Sequence, residues 1–291
     1  MSILAFRDTN VLIQGITGRA ARHHTENMLA YGTNIVAGTR PGAGGQEVAG
    51  VPVYDSVEDA CRNHKIDASI LFIPAKGVKD SAVEALNAGV KLLVIVTEHV
   101  PLHDAMLLME KKKDHDAVII GPNTPGMISP PEKTILGFVP TRYFAPGPMG
   151  VASRSGTLTY ELVSRLTAAG LGQSTCIGVG GDRLVGLRFA DALLRFEKDE
   201  QTRAVLLVGE IGGTMEEEAA EVVKSGQISK PVIAYLAGHT APDGIKLGHA
   251  GAIIDGGRGA MKTKIQALID AGVQVARQPT EAIEMARQSV R

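Results

Sequence analysis

Short, wholly apolar runs alternate with helix-length stretches along almost the entire chain, and this alternation constrains the fold more than any other feature. In the first half the runs are Val11-Leu12-Ile13, Ile35-Val36-Ala37, Ile70-Leu71-Phe72-Ile73, Leu92-Leu93-Val94-Ile95-Val96 and Val118-Ile119-Ile120. A strand that is apolar on both faces belongs in a sheet covered on both sides, which is the usual setting of parallel strands. Between the runs lie helical segments ending near Tyr31, passing through Ala88, and carrying Met106, Leu107, Leu108 and Met109. The order strand, helix, strand predicts an α/β unit with a parallel sheet.

The pattern stops between Pro122 and Pro148, where seven of the 14 prolines fall. Proline cannot donate to a sheet ladder and breaks helices, so a domain connection is expected over residues 127–148. This leaves an N-terminal domain over 1–126 and a C-terminal one over 149–291. Two domains suit a chain of 291 residues. Alternation resumes with Gly150-Val151-Ala152, Cys176-Ile177-Gly178-Val179, Val205-Leu206-Leu207-Val208, Val232-Ile233-Ala234-Tyr235 and Val273-Gln274-Val275, and a closing helix begins near Glu281. The second unit is predicted to be a second parallel sheet, flavodoxin-like. The 34 glycines fall at strand ends and in short motifs, which points to tight turns or close ligand approach.

Composition narrows the function classes. A formal net charge of −1 offers no surface for nucleic acid or an anionic membrane, and neither partner is expected. No apolar run approaches the roughly 20 residues that span a bilayer. Met1 to Thr9 lacks a secretory apolar region. Cys61 and Cys176 lie far apart without metal or redox spacing, so they read as reduced thiols. A cytoplasmic location is expected.

Of eight histidines, one stands apart: Gly248-His249-Ala250-Gly251-Ala252 surrounds an imidazole with nothing bulky. The ring can be reached from outside, and the flanks supply no packing surface for a core histidine. Metal ligation is a rival reading, but no second histidine or carboxylate sits at ligand spacing, and no metal is expected. Glu210, in Val208-Gly209-Glu210-Ile211-Gly212-Gly213, ends an apolar strand, where open α/β sheets bind ligands. A glutamate bonded to an imidazole orients the ring and stabilises its cationic or phosphorylated form. Ser153-Arg154-Ser155-Gly156-Thr157 opens an amphipathic helix and offers hydroxyls and free N–H groups to an anion, or an ordinary N-cap. Gln14-Gly15-Ile16-Thr17-Gly18-Arg19-Ala20-Ala21 follows the first strand and is either a phosphate turn or a structural one. Together the histidine, the carboxylate and the helix start suit phosphoryl transfer through a phosphohistidine.

These residues carry a resemblance. Gln14 to Gly18, Ile119-Ile120-Gly121-Pro122-Asn123, Ser153 to Glu161, Gly209 to Gly213 and Gly248 to Ile254 together resemble the α subunits of succinyl-CoA synthetases (succinate–CoA ligases), over essentially the full length. The resemblance implies a Rossmann-like CoA-binding domain followed by a ligase domain. It also implies a β subunit whose ATP-grasp domain holds ATP or GTP with Mg²⁺, in an αβ or α2β2 heterotetrameric assembly serving the tricarboxylic acid cycle. His249 takes the phosphohistidine role and Glu210 stabilises it. Ser153, Ser155, Gly156 and Thr157 match the phosphate cradle, and Tyr160 and Asn123 the dicarboxylate site. Thr17, Gly18, Arg19, Ala20, Pro74, Val96, Thr97 and Glu98 match the CoA segments.

The chain also departs from the family pattern. Ala43 stands where a lysine is usual, leaving Arg40 or Arg19 to meet a CoA phosphate. Thr124 replaces a cysteine, Lys76 and Gly77 alter a loop, and His99 replaces a glycine. Gly181-Asp182-Arg183 looks more like ATP-citrate lyase at that point. Alternatives are therefore a ligase for malate or another di- or tricarboxylate, and a non-catalytic CoA-binding paralogue. An NAD-dependent oxidoreductase is disfavoured, because Arg40 and not an acidic residue follows the second strand.

Overall fold

The computed structural model describes residues 2–238, 249–253 and 259–290. The first half folds as β1 (Val11–Gln14), α1 (Arg19–Tyr31), β2 (Ile35–Thr39), β3 (Glu47–Val48), β4 (Val51–Tyr54), α2 (Val57–Asn63), β5 (Ala68–Leu71), α3 (Val78–Asn87), β6 (Leu92–Ile95), α4 (Leu102–Asp114) and β7 (Val118–Ile120). Every residue of β1, β5 and β6 is buried, including the two polar ones, Gln14 and Ser69, which pair through Gln14 Nε2 donating to Ser69 Oγ at 3.0 Å. The sheet order is β3-β4-β2-β1-β5-β6-β7, and all pairings are parallel except β3 with β4. The chain leaves β1 toward β2 on one side and returns to β5 on the other. The crevice at the carboxyl ends of β1 and β5 is thus the topological switch point, where doubly wound sheets bind nucleotide-like ligands.

The second half folds as β8 (Gly126–Ser129), β9 (Thr134–Gly137), β10 (Pro146–Ser153), α5 (Gly156–Ala168), β11 (Gln173–Gly178), α6 (Phe189–Lys198), β12 (Ala204–Glu210), α7 (Met215–Lys224), β13 (Val232–Ala237), α8 (Met261–Asp270), β14 (Gln274–Ala276) and α9 (Pro279–Ser289). Its order is β14-β13-β12-β10-β11-β8-β9. The five parallel strands follow the flavodoxin order, with the switch point between β10 and β12. Among the described residues no helix is long and apolar enough to cross a membrane.

Each parallel sheet carries an antiparallel edge: β3 on β4 in the first, and β8 on β11 and β9 in the second. One expectation changes. The stretch 127–148, read as a connection, contains most of that hairpin and the start of β10. The prolines bracket the hairpin, with Pro125 before β8, Pro130 and Pro131 in the turn and none in β8 or β9, while Pro146 and Pro148 lie in the first residues of β10. The hairpin also joins the halves. Thr33 donates its hydroxyl to the carbonyl of Ile135 (3.0 Å) and accepts from the Ile135 amide (2.9 Å). One apolar core runs from Ile13 and Ile70 to Ile128, Leu136 and Val151.

Candidate active site at the second switch point

β10 and β12 lie side by side, with Ser153 opposite Val208, so both strands deliver their last residues to one crevice. Glu210, 8% exposed, ends β12. The Nδ1 of His249 lies 3.0 Å from each carboxylate oxygen of Glu210. A carboxylate can only accept, so Nδ1 carries the proton and Nε2 of the neutral ring keeps its lone pair. The hydrogen bond to Glu210 raises the His249 pKa above the ordinary histidine value. Burial and the Arg154 cation oppose that rise, while the Glu210 and Asp182 charges add to it.

A buried scaffold holds the carboxylate. The Arg154 side chain is 1% exposed and places Nη2 3.3 Å from Glu210 Oε1. Its Nη1 donates to the carbonyls of Glu210 (3.3 Å) and Gly212 (2.8 Å) and reaches Glu216 Oε1 at 3.2 Å. Glu216 Oε1 also accepts the Glu210 amide (3.1 Å). The other oxygen of Glu216 accepts from Lys264 Nζ, which donates as well to Glu217 Oε2 and the Gly213 carbonyl, both at 3.1 Å. Burial alone would raise the Glu216 pKa; Arg154 and Lys264 pull it below the ordinary value.

The sequence reading gave no role to Arg154, Glu216 or Lys264. One signal was legible: Met261, Lys264 and Leu268 recur at helical spacing and all face inward, so a lysine sits on the apolar stripe of α8. Glu216 lies among the first-turn acids of α7, where solvated glutamates are common.

The loop after β11 closes the back of the ring. A Cβ on Gly181 would lie 2.6 Å from Cγ of His249, so only glycine fits there. The Gly181 carbonyl accepts the Gly251 amide at 3.0 Å. Asn123, at φ +59°, donates Nδ2 to Asp182 (3.1 Å), accepts the Gly181 amide (3.1 Å) and donates its own amide to the Thr97 carbonyl (2.9 Å). This single residue therefore ties the Val96-Thr97-Glu98 segment of the first domain to the histidine loop. Burial raises the Asp182 pKa, opposed by the Asn123 hydrogen bond and by the nearby His99 and His249.

The helix start is built as a cap. Ser155 accepts the Leu158 amide (3.4 Å), while Ser153 Oγ donates to the Ser155 carbonyl (2.9 Å) and accepts its amide (3.1 Å). Both hydroxyls shape the turn, and the amides of the first helical turn, including Gly156 and Thr157, have no partner within the helix. One turn further, Tyr160 stacks on Tyr143 with ring centres 6.3 Å apart. Its hydroxyl is buried without a hydrogen-bond partner among the described residues, and burial pushes its pKa up to about 12.

The remaining predicted residues gather at the first switch point. Gly15, at φ +78°, passes so near the Phe72 carbonyl that a Cβ would lie 2.7 Å away. Gly18 caps α1 without a side chain, leaving its first amides to a ligand, beside exposed Arg19 and Ala20. Arg40 Nη1 donates to Thr17 Oγ1 at 3.2 Å, so the arginine stands over the phosphate-type turn. Ala43 is 7% exposed, with its methyl against protein. Pro74 is exposed, and the Thr97 hydroxyl donates to the Ile73 carbonyl at 2.6 Å. A helix start without a capping side chain, next to two arginines, suits a phosphate-bearing ligand such as CoA.

Comparison with known proteins agrees with this arrangement. The profile of the CoA binding domain family matches residues 6–99, and that of the CoA-ligase family matches 152–274. Fold and matches define a CoA-dependent acid–thiol ligase. The chain is 52% identical over 285 residues, 98% of each chain, to the succinate–CoA ligase (ADP-forming) subunit alpha 2 of Archaeoglobus fulgidus. It therefore belongs to the succinate–CoA ligase α-subunit family, and so to a two-subunit type of enzyme. It is also 46% identical to an ADP-forming sulfoacetate-CoA ligase subunit, SqwL of Acholeplasma sp, over 96% of this chain and 95% of that one. The fold is shared with the ATP citrate lyase of Methanothrix soehngenii, solved with citrate and coenzyme A. That match has a TM-score of 0.88 at 23% identity and covers 99% of this chain and 50% of the lyase.

Proposed function

We propose that the chain is the α subunit of an ATP-dependent succinate–CoA ligase working through phosphorylated His249. The observation that carries this reading is the contact of His249 Nδ1 with both oxygens of Glu210, 3.0 Å each. Nε2 attacks the terminal phosphorus of a nucleoside triphosphate presented with Mg²⁺ by the ATP-grasp domain of a β subunit. The Nε2–P bond forms as the bond from phosphorus to the bridging oxygen breaks, and the diphosphate leaves. Nδ1 keeps its proton, and Glu210 balances the positive charge the ring acquires. The phosphoryl group then passes to a carboxylate oxygen of succinate, which restores the Nε2 lone pair. The CoA sulfur attacks the acyl carbon; the C–S bond forms as the C–O bond to phosphate breaks, and the departing phosphate takes up the thiol proton.

Residues 1–126 would bind CoA through Thr17 to Ala20, Arg40, the turn at Ala43, Pro74 and Val96 to Glu98. Residues 149–291 would supply the cradle of Ser153, Ser155, Gly156 and Thr157, with Tyr160 and Asn123 on the acid. The names of the relatives, ADP-forming throughout, support ATP over GTP. A second acid, sulfoacetate, is favoured by the SqwL similarity; malate is the other dicarboxylate to test.

With labelled ATP, the chain co-purified with its β subunit should form an acid-labile, base-stable phosphoprotein, and the folded His249→Ala variant should form none. Labelling of that variant at the wild-type level would overturn the assignment. Thioester formation with succinate, malate and sulfoacetate then identifies the acid.

A further inference from the structure

Five ionisable side chains run in unbroken contact from the histidine loop into the core. His249 meets Glu210, Glu210 meets Arg154, Arg154 meets Glu216, and Glu216 meets Lys264. They come from the 249–253 segment, β12, the residue after β10, α7 and α8. Lys264 is fully buried and Glu216 is 1% exposed, so these charges interact with little screening by water. A buried ion pair is a poor way to gain stability, since desolvation offsets most of the attraction.

We propose that Lys264 is a positioning residue for the nucleophile: by sharing Glu216 with Arg154, it sets how much of the arginine's charge reaches Glu210, and so how Glu210 holds His249. The proposal rests on the phosphohistidine reading above. Arg154 faces two carboxylates at nearly equal distance, 3.3 Å to Glu210 and 3.2 Å to Glu216. Lys264 takes up the opposite oxygen of Glu216. Without that cation, Glu216 is left to Arg154, and Glu210 loses compensation. A less compensated Glu210 favours the protonated ring, which has no lone pair to offer. Removing the Glu216 charge acts in reverse, committing Arg154 to Glu210 and favouring the neutral ring.

The other charged groups around His249 stay in place in both changes. Asp182 lies beside the ring, with Glu98 and His99 beyond it. Arg183 donates Nε to the Ala250 carbonyl (3.3 Å). Glu217 keeps its contact with Lys264 when Glu216 is neutralised.

The test uses the complex with the β subunit, its histidines isotopically labelled, and two readouts. One is the ring titration of His249 by NMR, assigned through His249→Asn. The other is the pH dependence of phosphoenzyme formation at saturating ATP. Lys264→Met should move both midpoints upward by about half a pH unit or more, and Glu216→Gln should move them downward. Lys264→Arg, which keeps the charge, should return the wild-type midpoint. Midpoints that stay put, or move the same way in both charge-removing variants, would overturn the proposal and leave Lys264 a structural residue. If Lys264→Met does not fold, Glu216→Gln must still move the midpoint downward and Lys264→Arg must leave it unchanged. The ring titration does not require phosphorylation, so loss of the phosphohistidine reading through a labelled His249→Asn complex would be seen separately.

Discussion

Gly181 lies directly against the imidazole of His249: a Cβ there would stand 2.6 Å from Cγ, 2.7 Å from Cδ2 and 2.8 Å from Nδ1. The loop after β11 thus fixes one face of the ring while Glu210 fixes its Nδ1 edge. Gly181→Ala must displace the ring or the loop. Phosphoenzyme formation should fall at least about tenfold, equivalent to ~1.4 kcal/mol in the barrier. Rapid-quench labelling of the complex, with circular dichroism to confirm folding, measures this; a wild-type rate would show that the ring needs no such wall.

The Glu210 hydrogen bond also makes a pH prediction. Because it raises the folded-state pKa of His249 above the unfolded value, the stabilisation it confers is fully present below about pH 6.5. It is lost as pH rises through the folded value. In urea unfolding between pH 5.5 and 8, the stability gap between wild type and Glu210→Gln should therefore narrow with rising pH. A gap that widens would place the proton elsewhere.

On the proposed CoA-ligase reading, Arg40 would meet a CoA phosphate in place of a lysine at position 43. Its guanidinium stands 3.2 Å from Thr17, on the turn that opens α1. A charge-assisted bond to phosphate is worth roughly 1.5–3 kcal/mol, so Arg40→Ala should weaken CoA binding about tenfold or more. Calorimetric titration of the complex at two salt concentrations should also show a weaker salt dependence in the variant. Unchanged affinity would hand the phosphate to Arg19.

His99 sits at φ +62°, a left-handed conformation that a glycine adopts without strain. The relief outweighs the entropy that glycine adds to the unfolded chain. His99→Gly is expected to stabilise the protein by about 0.5 kcal/mol in chemical unfolding. Destabilisation would mean that the imidazole contributes through its charge interaction with Asp182.

The sequence by itself determined what depends on neighbours along the chain. Continuous apolar runs announced strands buried on both faces, and β1, β5, β6 and β12 are buried throughout. Strand-end motifs placed Glu210 and Ser153 at the rim of a sheet, and bare glycine flanks marked His249. Tertiary structure alone decided which of these ends meet. Glu210 and His249 are 39 residues apart, and Lys264 and Glu216 are 48 apart. The 249–253 segment, tied to the loop after β11 by the Gly251 amide on the Gly181 carbonyl, brings the first pair together, and the packing of α7 on α8 the second. Asn123 became a bridge only because its left-handed backbone turns toward both Thr97 and Gly181. The hairpin of β8 and β9 escaped a reading by proline content, since its pairing is with β11 and its docking is on α1. Periodicity records how much of each residue is buried, a local property. Which charge neutralises which is settled only when distant segments share a low-dielectric interior and each buried group must find a partner.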